Sequence, residues 1–133
     1  MKKKILIVVA DYYKSIAKGL LKTANREIKK SFSVKVVYVP GVFEIPVTIS
    51  KNINKYNGFI ALGCVIKGQT PHFDFISKAS IEALMKLSIN SKKPIGNGII
   101  TCLNMKQAII RANPKGKNKG AEATNAILKV LEV

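Results

Sequence analysis

The chain is poor in the residues that most often bind metals or form cross-links. Its 133 residues include one histidine, two cysteines and no tryptophan. Cys64 and Cys102 each stand alone at the end of an apolar run, and neither has a metal-type spacing to His72. These spacings exclude the common zinc motifs and a disulfide framework. We therefore expect no metal site and two buried free thiols, as is usual in a reducing compartment.

Long apolar runs are missing as well. The longest are strand-sized, so no segment is expected to span a membrane, while a hydrophobic fraction of 47% excludes a disordered chain. The basic start followed by an apolar run resembles a signal peptide, but Asp11 ends that run early and no small-residue cleavage site follows. We predict one domain over residues 1–133 in a cytoplasmic protein.

Segments with a strand pattern alternate with segments that have helical periodicity. The predicted strands are Lys4–Ala10, Ser33–Val39, Phe59–Ile66 and Ile95–Leu103. The predicted helices run from Ile16 to about Lys30, from Pro46 toward Lys55, from Pro71 to Lys92, from Met105 to Ala112 and from about Ala121 to Leu131. This alternation predicts an α/β fold, a flavodoxin-like three-layer sandwich in which a four-stranded parallel sheet carries helices on both faces.

Helical periodicity also predicts which side chains of the two longest late helices face the core. In the helix that Pro71 opens, the expected apolar face is Ile76, Ala79, Ala83, Leu84 and Leu87. In the last helix it is Ala123, Ala126, Ile127 and Val130.

Chemistry-bearing residues collect where the predicted strands end. Gly68 leaves the third strand, and His72 follows beside Thr70, at the start of a helix. Ligands of open α/β sheets bind just beyond the carboxyl ends of the strands. Since imidazole exchanges protons readily near neutral pH, His72 is the candidate proton donor and acceptor. Asp74, two residues on, is a candidate to support its protonated form.

Aromatic and acidic residues share this edge. Tyr12, Tyr13, Phe43 and Phe73 follow the first three strands, as do the carboxylates of Asp11, Glu44 and Asp74. A flat apolar surface beside a carboxylate suits a planar heterocycle with hydroxyl or amide groups. Core packing or a subunit contact is the alternative for each aromatic residue, and for Phe73 it is the preferred one.

Basic residues at the same edge suggest an anion site. The stretch Gly68–Pro71 offers backbone N–H groups and a hydroxyl at a helix start, which favours phosphate. Arg111 and the loop Lys115–Gly120 add fixed positive charge, although this loop lacks the glycine spacing of a Walker A motif.

The scarcity of acidic residues, seven against 23 basic ones, gives a formal net charge of +16. Such a charge favours nucleic acid or another anionic partner. The lysines are nevertheless scattered over every segment and are not interleaved with aromatic residues, as they are on many single-strand-binding surfaces. An alternative to an enzyme is therefore a non-catalytic, basic, flavodoxin-like binding module for nucleic acid or another anion.

Three long stretches, in order, resemble the 6,7-dimethyl-8-ribityllumazine synthase family of riboflavin biosynthesis. VPGVFEIP at positions 39–46 is similar to the family's VPGxFEIP signature, and ALGCVIKGQTPHFD at 61–74 is similar to its ALGxVIRGxTxHFD stretch. QAIIRA at 107–112, followed by GKNKG at 116–120, is similar to its QAxxRA…GNKG segment. The resemblance covers essentially the whole chain, and it implies small-molecule substrates and not nucleic acid as partners.

The resemblance implies a role for each matching residue. His72 corresponds to the family's proton donor and acceptor, and Lys119 to a lysine near the pyrimidine. The family positions that hold the phosphate of the four-carbon substrate are matched by Gln69, Thr70 and Arg111. The family residues that form the pocket for the ribitylaminopyrimidine are matched by Tyr12, Val42, Phe43, Glu44, Cys64, Val65 and Ile66. Among them, Glu44 matches the residue that reaches the ribityl hydroxyls.

Three residues depart from the family pattern. Asn97 stands where a neighbouring subunit usually contributes a large side chain, often Phe; Tyr13 replaces the usual Asn, and Lys67 a frequent Arg. An inactive relative kept as a structural shell is a third interpretation.

The implied reaction condenses 5-amino-6-(D-ribitylamino)uracil with 3,4-dihydroxy-2-butanone 4-phosphate. The resemblance implies that no metal or redox cofactor takes part. It also implies a homo-oligomer, a pentamer or an assembly of pentamers.

Overall fold

The computed structural model describes residues 2–133. Four strands alternate with five α-helices along the chain. The strands are β1 Lys4–Ala10, β2 Ser33–Val39, β3 Gly58–Ile66 and β4 Ile95–Cys102. The helices are α1 Lys14–Arg26, α2 Ile45–Lys51, α3 His72–Ser91, α4 Met105–Arg111 and α5 Lys119–Glu132. A short 3-10 helix, Val42–Glu44, lies between β2 and α2.

The four strands form one parallel sheet in the order β2-β1-β3-β4. The side chains of Ile5–Val9 in β1 and Phe59–Leu62 in β3 are fully buried, because these central strands are covered on both faces. Helices α1, α4 and α5 pack on one face of the sheet, and α2 and α3 pack on the other. The predicted three-layer flavodoxin-like sandwich is therefore confirmed.

Two helices are shorter than predicted. Helix α1 ends at Arg26 and not near Lys30, because the backbone N–H of Ile28 bonds to the Asn25 carbonyl three residues back and tightens the chain into a turn. Helix α2 ends at Lys51, where the Asn52 side chain donates to the Thr48 carbonyl at 2.8 Å. Neither helix is followed directly by a glycine or a proline, the residues that usually indicate a helix end in a sequence. At the strands, Gly58 opens β3 instead of completing a turn, and β4 stops one residue before Leu103.

The predicted core faces of α3 and α5 are wrong at three positions. Ala79, Ala126 and Val130 are exposed. The face of α3 that packs on the sheet includes the buried Ser80 instead, and the face of α5 that packs on the sheet and on α1 includes the buried Thr124. Helix α3 also exposes three large apolar side chains, those of Phe75, Met85 and Ile89. No helix within residues 2–133 combines the length and apolar character needed to cross a bilayer.

Candidate active site

The topology places a crevice at one edge of the sheet. From β1 the chain goes to β2 on one side and then crosses to β3 on the other, so the connections diverge between the carboxyl ends of β1 and β3. A pocket of about 230 Å³ lies there, and we call it the histidine pocket. It is lined by Tyr12, Tyr13, Val42, Cys64, Val65, Ile66, His72 and Ile76.

Close packing brings the 3-10 helix into this pocket. A Cβ atom on Gly63 of β3 would lie 2.7 Å from Cγ2 of Val42 and 3.1 Å from Cβ of Ala10. Only glycine therefore lets Val42 approach the strand as it does, and Val42 is buried as a result. The next residues of the 3-10 helix, Phe43 and Glu44, do not line the pocket, and the Phe43 ring is 63% exposed.

His72 is exposed at the first position of α3, directly after Pro71. Within residues 2–133 its imidazole has no hydrogen-bond or ion-pair partner, so it is free to meet a ligand. The expected pairing with Asp74 is not made. Asp74 lines a separate shallow hollow with Phe73 and Ser77, because residues two apart on a helix lie on nearly opposite sides of it.

The two cysteines are free and buried, as predicted. Burial, and secondarily the neighbouring Cys102, raises the pKa of the Cys64 thiol to about 12. The thiol is therefore neutral at physiological pH and is a poor nucleophile. Cys64 contributes an apolar, weakly hydrogen-bonding wall to the histidine pocket.

Two tyrosines give the pocket a flat apolar rim. The rings of Tyr12 and Tyr13 meet edge to face, with 5.0 Å between centroids and 82° between planes. Burial, followed by the nearby Cys64 and Tyr12, raises the pKa of Tyr13, which keeps its phenol protonated. Tyr12 is 75% exposed, so one face of its ring is available to a planar ligand.

A second pocket, of about 360 Å³, lies beside the outer edge strand β4, and we call it the cationic pocket. Its lining residues are Ile81, Asn97, Ile99, Ile100, Thr101, Arg111, Lys117, Lys119 and Glu122. Nη1 of Arg111 donates to the Thr101 carbonyl at 3.0 Å and lies 3.8 Å from Sγ of Cys102. Oδ1 of Asn97 accepts from the Ile99 backbone N–H at 3.1 Å. Three basic side chains converge on this pocket.

The thirteen site residues predicted from the sequence thus fall into three groups. The histidine pocket contains Tyr12, Val42, Cys64, Val65, Ile66 and His72. The cationic pocket contains Asn97, Arg111 and Lys119. Outside both pockets lie Phe43, Glu44, Gln69 and Thr70, the last two on the exposed loop that precedes α3.

Sequence reasoning missed Thr101 and Glu122 as residues of the cationic pocket, whereas Lys117 belongs to the loop Lys115–Gly120 that was expected to add positive charge there. Glu122 follows Lys119 by three positions and therefore lies on the same side of α5. Strand alternation likewise places Thr101 beside Ile99 and Asn97. Both periodicities could have identified these residues once Lys119 and Asn97 had been selected.

Comparison with known proteins agrees with this geometry. The family model described as 6,7-dimethyl-8-ribityllumazine synthase matches residues 2–133. The enzyme of that name from Bartonella tribocorum is 43% identical over 137 residues, covering 98% of this chain and 91% of the relative. Another, from Agrobacterium fabrum, is 39% identical over 137 residues, covering 97% and 93%.

A third relative, 6,7-dimethyl-8-ribityllumazine synthase 1 of Rhodopseudomonas palustris, is 41% identical over 138 residues and covers 98% of this chain and 85% of its own length. None of these names supports the alternative of a non-catalytic basic binding module. The family match over nearly the whole chain, the relatives at about 40% identity and the histidine pocket agree with one another. The chain belongs to the 6,7-dimethyl-8-ribityllumazine synthase family.

Proposed function

We propose that this chain, acting as one domain over residues 1–133, condenses 5-amino-6-(D-ribitylamino)uracil with 3,4-dihydroxy-2-butanone 4-phosphate. The products are 6,7-dimethyl-8-ribityllumazine, phosphate and water, and the reaction belongs to riboflavin biosynthesis. The observation that carries the proposal is the family match over residues 2–133, together with the unpartnered imidazole of His72 in a crevice at the sheet's switch point. The enzyme acts in the cytoplasm, where its free thiols stay reduced.

The histidine pocket suits the pyrimidine. The exposed ring of Tyr12 provides a stacking surface, and the buried side chains of Val42 and Cys64 provide an apolar floor. Phe43 and Glu44 follow Val42 of this pocket directly along the chain, and we assign Glu44 to the hydroxyls of the ribityl chain, as the family resemblance implies. Val65 and Ile66 at the end of β3 complete the wall on the other side.

The proton transfers are assigned to His72. The amine of the pyrimidine first forms an imine with the ketone of the phosphorylated substrate and releases one water. Phosphate then leaves as the neighbouring carbon gives up a proton, and the second nitrogen closes the ring with loss of a second water. Each of these steps moves a proton, which a solvent-accessible imidazole can take up and return. Much of the acceleration comes from holding two reactants together in the right orientation.

The phosphate is assigned to Arg111, with Gln69 and Thr70 as further ligands. The guanidinium is oriented by its bond to the Thr101 carbonyl, which leaves its other N–H groups available to an anion. Lys117 and Lys119 add positive charge to the same pocket. We also assign Lys119 to a position near the pyrimidine, as the family resemblance implies.

One chain does not bring these two sets of residues into one cavity. No residue lines both pockets, and the histidine pocket alone is smaller than the 300 Å³ at which ligand clefts usually begin. We therefore propose a homo-oligomer, a pentamer or an assembly of pentamers, in which the histidine pocket of one chain meets the cationic pocket of its neighbour. A head-to-tail ring has this geometry, because each subunit uses two different surfaces.

An apolar groove beside the cationic pocket supports this arrangement. Its volume is about 460 Å³, it lies between α3 and α5, and it shares Ile81 and Asn97 with the cationic pocket. Met85, Ile89 and Val130 line it and are more than half exposed. A neighbouring chain that brings its histidine pocket to Asn97 would cover these side chains, which are costly to leave in water.

A turnover assay tests the proposed function. Purified protein is incubated with both substrates, and the product is followed by lumazine absorbance or fluorescence, with phosphate release measured in parallel. We expect one phosphate per lumazine, at a rate well above that of the two substrates alone. No lumazine above this uncatalysed control would refute the proposal.

A further inference from the structure

The loop before α5 carries an unusual buried amide. Asn118 lies among exposed lysines, yet it is only 3% exposed. Its Oδ1 accepts from the Thr23 hydroxyl at 2.6 Å and from the Gly120 backbone N–H at 2.7 Å. Its Nδ2 donates to the Gly19 carbonyl at 3.3 Å. A buried amide partnered in this way fixes the conformation of the chain around it.

The partner surface belongs to α1, which the loop and the start of α5 approach very closely. A Cβ atom on Gly120 would lie 2.2 Å from the Leu20 carbonyl oxygen and 2.8 Å from Oγ1 of Thr23. Glycine is therefore required at this contact. Thr23 itself is fully buried, and its hydroxyl is the group of α1 that reaches across to Asn118. We call the set Thr23, Asn118 and Gly120 the clamp.

The clamp determines where Lys119 lies. Lys119 stands between Asn118 and Gly120, so its backbone is fixed to α1 on both sides, and its side chain lines the cationic pocket. The same helix also holds the residue after Arg111. A Cβ atom on Gly19 would lie 2.3 Å from the Ala112 carbonyl oxygen. Helix α1 is thus the support on which the basic side chains of this pocket are placed.

We propose that Thr23 and Asn118 are positioning residues for the reaction, because their hydrogen bond holds Lys119 in the orientation that the cationic pocket needs. The proposal rests on the proposed function and extends it to residues that touch no substrate. Displacements of about 1 Å can reduce rates by up to 100-fold, so the loss of this one bond is measurable.

The test variant is Thr23→Val, which removes the hydroxyl and keeps the shape of the side chain. We expect kcat/KM for lumazine formation to fall by about 10- to 100-fold. Thr23→Ser retains the hydroxyl and is expected to keep most of the activity. A loss in the serine variant as large as that in the valine variant would overturn the proposal, because packing alone would then explain it.

Thr124→Val provides a matched control. The Thr124 hydroxyl is also buried between α1 and α5, and it donates to the Ala24 carbonyl at 2.9 Å, but it lies more than one turn further along α5 than Lys119. We expect Thr124→Val and Thr23→Val to lower the unfolding temperature to a similar extent, while Thr124→Val leaves kcat/KM within about twofold of wild type. Equal losses of activity in both variants would contradict the proposal.

A double-mutant cycle with Lys119→Ala decides whether the clamp acts through Lys119. In the Lys119→Ala background, Thr23→Val is expected to cause no further loss of kcat/KM. The same fold-loss in both backgrounds, or a Lys119→Ala variant as active as wild type, would overturn the inference. If Thr23→Val does not fold, Asn118→Ala takes its place, since Thr23 then keeps the Leu20 carbonyl as acceptor. An inactive wild-type chain would refute the proposed function itself, and the clamp proposal would fall with it.

Discussion

At the scale of single residues, the proposed chemistry depends on one imidazole. His72 is the only histidine of the chain, and it begins α3 with its ring exposed. No second side chain near it exchanges protons as readily at neutral pH, since the Cys64 thiol is held protonated. The surrounding side chains bind and orient the substrates.

His72→Ala is expected to lower turnover by roughly 10- to 10⁴-fold, as befits the loss of a proton shuttle. Because the side chain is exposed and unpartnered, the unfolding temperature should remain that of wild type. Steady-state kinetics and thermal unfolding measure the two effects. Unchanged turnover at neutral pH would contradict the role given to His72.

Arg111→Ala is expected to raise the KM for the phosphorylated substrate far more than the KM for the pyrimidine. The substitution removes a charge-assisted contact of about 1.5–3 kcal/mol from one ligand only. Arg111→Lys, which keeps the charge and loses the two-pronged geometry, should give an intermediate KM. Equal increases for both substrates would contradict this assignment.

The raised pKa of Cys64 predicts a slow thiol. Folded protein at pH 8 should react with iodoacetamide far more slowly than protein unfolded in guanidinium, since the thiolate is the reactive form. Between pH 9 and 12 the unfolded chain loses a proton that the folded chain retains, so stability should fall as pH rises through this window. Mass spectrometry of Cys64 at pH 8 measures the reactivity. Labelling at the rate of the unfolded chain would show that the thiol is not protected.

At the scale of secondary-structure elements, the strands were the easiest to predict. Buried parallel strands are continuous apolar runs, and β1 and β2 were predicted to the residue. The ends of α1 and α2 could not be predicted, because hydrogen bonds from Ile28 and Asn52 end them without a glycine or proline.

For the site, strand ends and motif similarity led to thirteen residues, nine of which line one of the two pockets. The separation of the two pockets reflects the position of β4 at the edge of the sheet. The exposure of Ala126 and Val130 was also missed. Helical periodicity identifies an apolar stripe, but it does not tell whether the stripe packs inside the same chain.

The packing of α5 against β4 makes a prediction about Gly96. A Cβ atom there would lie 2.5 Å from the Ala123 carbonyl oxygen, so the helix would have to move away from the sheet. Gly96→Ala is expected to lower the free energy of unfolding by about 1–3 kcal/mol. Gly116→Ala is the matched control, because a Cβ atom at Gly116 meets nothing within 4 Å. Denaturant unfolding that shows equal stability for the two variants would contradict this packing.

At the scale of the whole molecule, the central claim is that two chains complete one active site. The histidine pocket and the cationic pocket are lined by separate residues. The apolar groove beside the cationic pocket gives a neighbouring chain a surface to cover. A ring built in this way has as many complete sites as subunits. Light scattering is expected to give a mass of five chains or a multiple of five, and an active monomer would refute the shared site.

The most direct measurement combines two impaired variants. His72→Ala keeps an intact cationic pocket, and Arg111→Ala keeps an intact histidine pocket. After equal amounts are mixed, unfolded and refolded together, about one interface in four should pair two intact pockets, since each half is intact with a chance of about one half. With the phosphorylated substrate held well below the raised KM of Arg111→Ala, the account predicts that the mixture regains about a quarter of wild-type turnover, while each variant refolded alone stays far below that level. A mixture no more active than the separate variants, although it refolds into mixed oligomers, would contradict the account.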